Sequence, residues 1–246
     1  MNKTVCVIPA RYQSSRFPGK VLAPLLGKPM IQHVYERALE SEAGDVLVAA
    51  DDEKVVNAVK AFGGRAVMTG LHHNSGTDRI AEAVEKLDCD IVINIQGDEP
   101  LLPPEVIAKL AKLMADNPEV GMATVAVPAP REELNDPNKV KVVFGANGNA
   151  LYFSRSLIPF LRDGGKDAPC YLHWGIYAYR REVLEKFVKL PGGRLENCEK
   201  LEQLRALENG IAIRVMTVEN LKSVGVDTPA DLAEAEQYMR SLKKWK

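Results

Sequence analysis

TVCVIPARYQSSRFPGK, residues 4–20, runs from a β-branched apolar stretch straight into a basic, hydroxyl-rich loop with a single glycine. Thr4 to Ile8 reads as a buried strand, since Val5, Val7 and Ile8 favour extended backbone and carry no polar atom to satisfy. The segments beyond it decide how that strand is used. After Pro29, a good first helical residue, Ile31, Val34, Tyr35, Ala38 and Leu39 recur at helical spacing. Val46 to Ala50 is a second strand, residues 53 to 62 a helix stopped by Gly63-Gly64, and Arg65 to Met68 a third strand. Residues 78 to 87 read as helix and Ile91 to Ile95 as a central strand. Pro103-Pro104 then opens a helix with Val106, Ile107, Leu110, Leu113 and Met114 inward. Strand and helix in alternation imply right-handed βαβ units, and so an α/β fold built on a mostly parallel, Rossmann-like sheet.

The alternation loosens after about residue 120. Gly121 to Val127, Lys139 to Phe144 and Ala150 to Phe153 read as strands, Arg162 to Asp167 as a polar loop, and His173 to Tyr179 as extended chain. Helices come next near 181 to 189 and 198 to 209, then a strand at Ala212 to Val218 and a last helix from Pro229. With no linker or repeat, residues 1–246 are expected to form one domain, with about 130 to 210 as its substrate-binding and dimerisation elaboration.

Composition narrows the function. Hydrophobic residues are 46% and charged residues 26% of 246, the balance of a globular protein with a sizeable core. No apolar run reaches a membrane span and no signal-peptide pattern opens the chain, so a cytoplasmic protein without membrane contact is expected. Cys6, Cys89, Cys170 and Cys198 are far apart, with no CxxC pair, which suggests neither disulfides nor zinc; Cys6 is expected to be buried in the first strand. A net charge of −1 and few aromatics argue against nucleic acid as a partner. The charge is nonetheless uneven. Lys3, Arg11, Arg16, Lys20 and Lys28 all precede the first acidic residue, Glu36, so a local anion site is expected at the N-terminal end.

In an open parallel sheet, ligands gather beyond the carboxyl ends of strands, and four polar clusters lie at or near such ends. The first is the opening loop. A P-loop is excluded by Ser14 and Val21 where glycine and Ser or Thr are required, and GxGxxG is absent. Arg11, Arg16 and Lys20 can instead neutralise a polyphosphate directly, with Ser14, Ser15 and backbone N–H groups as neutral donors; a solvated basic loop is the alternative. The second is NIQGDEP, residues 94–100, where Gln96, Asp98 and Glu99 end an apolar strand. A carboxylate facing a polyphosphate suits Mg²⁺, although Asp before Glu-Pro is also ordinary turn chemistry.

The third is SVGVDTPADL, residues 223–232. Thr228 and Asp231 suit a helix cap, leaving Asp227 over after a short strand ending at Val226. Two strand-end aspartates could share a divalent ion. The fourth is split between HWGIYAYR (173–180) and ENCEKLEQLR (196–205). Glu199, Glu202 and Gln203 would share one helical face, and His173 and Tyr177 one face of a strand; a solvated helix face and a core histidine are the alternatives.

With those stretches, together with GKPMIQHVYERA, SGTDRIAE, GMATVAVP, VKVVF, ALYFSRSLIP and GVDTP in the same order, the sequence resembles the 3-deoxy-D-manno-octulosonate (Kdo) cytidylyltransferases, or CMP-Kdo synthetases, of the nucleotide-sugar transferase superfamily. The resemblance implies a homodimer that transfers CMP from CTP to Kdo with release of pyrophosphate, using Mg²⁺, for lipopolysaccharide biosynthesis. It implies triphosphate contacts at Arg11, Arg16 and Lys20, and a cytosine pocket at Ala10, Ser75, Gly76 and Arg79. It implies Mg²⁺ ligands at Asp98 and Asp227, and a sugar-acid site at Gln96, Arg155, His173, Tyr177, Glu202 and Gln203. Asp78, Trp174 and Ala178 depart from the family's usual SGTER and HLGIYGYR. A cytidylyltransferase for another acidic sugar such as a sialic acid, a glycosyltransferase of similar fold and an inactive nucleotide-binding protein are the rivals.

Overall fold

The computed structural model describes residues 3–13, 17–73, 75–162, 169–219 and 225–242, and its chain divides into two compact units, Met1–Lys112 with Lys222–Lys246, and Leu113–Leu221. The expected α/β architecture is the one observed.

In the first unit, β1 (Thr4–Ala10) lies at the centre. Two short strands, β2 (Pro24–Leu25) and β3 (Lys28–Pro29), pair with each other ahead of α1 (Met30–Glu40). Next come β4 (Asp45–Ala50), α2 (Glu53–Ala61), β5 (Ala66–Met68), α3 (Gly76–Val84), β6 (Ile91–Asn94) and α4 (Pro104–Asp116), within which the boundary falls. The parallel order is β6-β1-β4-β5. Strands covered on both faces read as unbroken apolar runs, which is why Cys6, Val7, Ile8, Val48, Val92 and Ile93 are all fully buried. Each such aliphatic side chain contributes about 2 kcal/mol by leaving water. Burial also pushes the Cys6 thiol up to about 12, so it stays protonated and inert.

Local chemistry sets the helix ends. The Asp52 side chain accepts from the Lys54 N–H at 2.8 Å and starts α2, while Gly63, at φ 83, adopts the left-handed turn that stops it. Ser75 and Asp78 form a reciprocal capping box, so α3 starts at Gly76, two residues before the expected 78. That S-x-x-D signal was legible in the sequence.

The second unit holds β7 (Met122–Ala129), β8 (Lys141–Phe144), β9 (Ala150–Ser154), β10 (Cys170–Arg180), α5 (Arg181–Phe187), α6 (Arg194–Glu199), α7 (Gln203–Glu208) and β11 (Ile213–Thr217). β7 lies between antiparallel β10 and parallel β11, and the β8–β9 hairpin joins β10 through Leu172 and Lys141. Chain order returns to the first unit with α8 (Pro229–Ser241), capped by Thr228 and Asp231 as expected.

Two expectations are corrected. The single helix over 198 to 209 is two, because Lys200 takes the left-handed conformation at φ 54. The turn is closed by the Lys200 and Leu201 N–H groups donating to Glu196 O, and Arg155 holds its far side, Nε and Nη2 donating to the carbonyls of Glu199 and Lys200 at 2.7 and 3.4 Å. Glu199 therefore does not share a helical face with Glu202 and Gln203. Gly225 and Val226 belong to no strand; the Val226 N–H donates to Asp98 O at 2.9 Å. Among the described residues no helix is long and apolar enough to cross a membrane.

Candidate active site

The loops at the carboxyl ends of β1, β4 and β6 build the first unit's site. Beyond β6, Gly97 brings the chain so close to β1 that an added methyl would lie 3.0 Å from the Pro9 carbonyl. That approach places Asp98 beside Lys20, whose Nζ donates to Asp98 Oδ2 at 2.6 Å, to Asp227 Oδ1 at 3.0 Å and to Val226 O at 3.2 Å. Residues separated by more than two hundred positions thus converge on one nitrogen. Asp227 is held from the other side, since Asp231 Oδ2 accepts from the backbone N–H groups of Asp227 and Thr228 at 2.9 and 2.8 Å. Desolvation works against the Lys20 charge, but Asp98 and Asp227 outweigh it and hold the ammonium above the ordinary lysine value. Lys20 stays cationic throughout the physiological range.

The donor set at this point is two carboxylates and a carbonyl, all oxygen and already gathered around a positive charge. That chemistry fits a hard divalent cation, for which one or two carboxylates plus substrate phosphates suffice. Among the described residues there is no group of three or more His, Cys, Asp or Glu placed to hold a metal by themselves.

A cavity of about 340 Å³ opens beside this pair, lined by Pro9, Arg11, Lys20, Gly76, Gln96 and Asp98 among others. Adjoining it is a cavity of about 420 Å³ that shares Arg11 and Gln13 and reaches Asp51, His73 and Arg79. Arg11 Nη2 donates to the His73 carbonyl at 3.2 Å, which keeps its guanidinium between the two. Gln96 Nε2 donates to Asn94 Oδ1 at 3.1 Å. Ala10 is fully buried at the end of β1. Ser75 spends its oxygen on the helix cap, accepting from the Asp78 N–H at 3.0 Å. Arg79 is 1% exposed, and its Nη1 donates to Thr69 Oγ1 at 2.6 Å. Of the first unit's expected residues, Ser14 and Arg16 lie outside the described residues; the others line or adjoin the two cavities.

The remaining expected residues belong to the second unit. His173 and Tyr177 meet, with ring centroids 5.5 Å apart, despite a register shift in β10 between Trp174 and Tyr177. The Thr124 hydroxyl lies 2.8 Å from Ile176 O and 3.0 Å from His173 Nε2. It also lies 3.2 Å from Trp174 O, and burial is what keeps the His173 imidazole neutral. Gln203 is buried, and Glu202 Oε1 lies 3.6 Å from the Arg205 guanidinium. Arg155 is held at all three guanidinium nitrogens: besides its bonds to Glu199 and Lys200, Nη1 donates to Pro137 O at 3.0 Å. Its own N–H donates to Glu199 Oε2 at 2.9 Å, and Ser154 Oγ to Glu199 Oε1 at 2.6 Å. Desolvation raises the Glu199 carboxyl, yet these donors outweigh it and hold the group below the usual carboxylate range. The geometry makes Arg155 a brace for the corner that carries Glu202 and Gln203.

Burial pushes the His173 pKa down to about 3, against roughly 6.5 in an unfolded chain. Between those values the unfolded state binds the extra proton, so stability is full above about pH 6.5 and is lost as pH falls toward 3. The loss from this ring runs to at most about 1.4 kcal/mol per pH unit. Urea unfolding at about pH 7 and pH 5 should show His173→Gln losing markedly less stability than the wild type across that interval. An unchanged slope assigns the acid sensitivity to another group.

Three features escaped the sequence reading. Asp51, at the end of β4, touches both Tyr12 and Arg79; the AADD stretch that carries it obeys the same strand-end rule that singles out Asp98. Thr69 grips Arg79 after β5. Lys141 is fully buried and donates to the carbonyl of Asp136 at 3.1 Å and to that of Arg155. A lone lysine inside VKVVF was its signal.

Arg11, Lys20, two convergent aspartates and a cavity of about 340 Å³ beyond the strand ends of a parallel sheet make a site suited to a nucleotidyltransferase. The cytidylyltransferase family model matches residues 5–224. A 3-deoxy-manno-octulosonate cytidylyltransferase of Syntrophus aciditrophicus (strain SB) is 54% identical, covering 97% of this chain and 98% of that one. An 8-amino-3,8-dideoxy-manno-octulosonate cytidylyltransferase of Shewanella halifaxensis (strain HAW-EB4) is 55% identical over 96% and 98%. The solved structure of a CMP:2-keto-3-deoxy-manno-octonic acid synthetase complexed with CTP superposes with a TM-score of 0.92 at 49% identity, covering 97% of this chain and 98% of that one. The chain belongs to the 3-deoxy-manno-octulosonate cytidylyltransferase family.

Proposed function

We propose that this protein transfers CMP from CTP to 3-deoxy-D-manno-octulosonate, giving CMP-Kdo and pyrophosphate for lipopolysaccharide synthesis, and works as a cytoplasmic homodimer. The observation that carries the reading is the convergence of Asp98 and Asp227 on Lys20 at the edge of a cavity that Arg11 also lines. The structure similar to this chain at 49% identity is a complex with CTP, which supports that nucleotide.

In the reaction the anomeric 2-hydroxyl of the sugar acid forms a bond to the α-phosphorus. The bond to the β-phosphate oxygen breaks in line, and the hydroxyl proton passes to solvent. Little covalent chemistry is left to the protein, whose task is positioning and neutralising charge. Arg11 and Lys20 border the cavity and stabilise the departing pyrophosphate; Arg16 is proposed to join them. Asp98 and Asp227 would hold Mg²⁺, which supplies positive charge to the α-phosphate and lowers the pKa of the attacking hydroxyl. Ala10, Ser75, Gly76 and Arg79 are proposed for the base, and Gln96, His173, Tyr177, Glu202, Gln203 and Arg155 for the acceptor. Because His173 is neutral, its part in this reading is that of a hydrogen-bonding group and not of an acid.

Relatives of nearly equal identity bear the names of the Kdo and 8-amino enzymes, so the acceptor's last carbon is the finer question. Pyrophosphate release from CTP and Mg²⁺, measured with Kdo, its 8-amino analogue and a sialic acid, tests the reading. Release with Kdo well above the others supports it. Preference for the 8-amino sugar moves the substrate, and release with none of them overturns it.

A further inference from the structure

Arg79 has an unusual environment for a cation. Its side chain is 1% exposed, and its Nε is buried without a hydrogen-bond partner although the residue borders the 420 Å³ cavity. The rest of the guanidinium is gripped. Nη1 donates to Thr69 Oγ1 at 2.6 Å and to Gly70 O at 3.2 Å, and Nη2 to Asp51 Oδ2 at 3.2 Å. Thr69 is itself locked, since its hydroxyl donates to Ala50 O at 2.9 Å and its N–H donates to the same carbonyl at 2.8 Å. With its one hydrogen spent, the Thr69 oxygen can only accept from Arg79. Asp51 spends its second oxygen on the backbone N–H of Tyr12, at 2.9 Å, in the loop that begins with Arg11.

One carboxylate therefore ties the buried guanidinium to the basic loop, and one hydroxyl fixes the angle at which that guanidinium meets the cavity. An arginine lacking these two partners would keep its charge but lose its direction, because its long side chain has several rotamers of similar energy. We propose that Asp51 and Thr69 are positioning residues that set Arg79 to donate to the acceptor edge of cytosine, where N3 accepts and uracil would present an N–H, so that base recognition and the Arg11 loop form as one rigid unit. The inference rests on the CTP reading and deepens it. A base contact made by a fixed, desolvated donor discriminates strongly, since the wrong base leaves that donor unpaired.

Thr69→Val keeps the shape and removes the oxygen; Thr69→Ser keeps the oxygen; Asp51→Asn keeps an acceptor for Tyr12 and removes the charge facing Arg79. Calorimetric binding of CTP and of UTP without acceptor, steady-state kinetics and the unfolding midpoint are measured for each. We expect Thr69→Val and Asp51→Asn to weaken CTP by about tenfold and to shrink the CTP-over-UTP preference. The expected kcat at saturating CTP and KM for the sugar acid stay within about twofold, and Thr69→Ser returns to wild type. An unchanged CTP-over-UTP ratio in folded Thr69→Val overturns the proposal, as does a Thr69→Ser that fails as badly as Thr69→Val. Failure of the wild type to bind CTP would instead sink the underlying reading, which keeps the two outcomes apart.

Discussion

Asp98→Asn and Asp227→Asn, made singly, each yield a folded protein whose turnover falls by about 10³-fold or more. The amide is isosteric, and in each variant Lys20 keeps one carboxylate, so the unfolding midpoint should move little. What disappears is half of the negative charge that two distant loops deliver to a single point. A neutral amide oxygen is a weak ligand for a hard cation and a poor counter-ion for Lys20. The loss should appear in kcat more than in the KM for CTP, because charge on the α-phosphate is required most in the transition state. Near-normal pyrophosphate release from either folded variant removes the pair from the chemistry.

Lys20→Met is the second large effect, and it acts on stability and on activity by different routes. Removing the ammonium, whose side chain is 14% exposed, leaves two carboxylates facing each other with nothing between them. Asp227 is 45% exposed, so solvent screens part of the repulsion. The expected cost is about 1–3 kcal/mol, short of the cost of breaking a fully buried pair. Added Mg²⁺ should raise the thermal midpoint of this variant more than that of the wild type, because a cation that binds the folded state stabilises it by mass action. Catalytic efficiency should fall by about 10²–10³-fold, the usual cost of truncating a charged partner of a phosphate or carboxylate. A Lys20→Met protein with wild-type efficiency, or a midpoint indifferent to Mg²⁺, contradicts the role given to this residue.

The sheet was the legible part of this molecule, since β1, β4 and β6 are buried on both faces and betray themselves as apolar runs. Helix ends were readable wherever a side chain caps them, as Thr228 and Asp231 show. The break at Lys200 was not, for no residue near it is a helix breaker. There the turn is held in part by Arg155, forty-five positions earlier in the chain, donating to the carbonyls of Glu199 and Lys200. The candidate site divides in the same way. Asp98 and Asp227 stood out because each comes after a short apolar run, yet only the fold brings both to the Lys20 ammonium, which the sequence pattern alone reserves for phosphate. Asp51 obeys the same strand-end pattern at β4 and was passed over, because its partners Tyr12 and Arg79 are distant in sequence.

The proposed chemistry stands or falls on Asp98 and Asp227 acting together on the bound nucleotide. Crystals grown with CTP and Mn²⁺ and measured for anomalous scattering address this directly. The prediction is a peak bonded to carboxylate oxygens of both residues and to the α-phosphate. A peak on the phosphates alone, with either aspartate turned away from it, would contradict that chemistry.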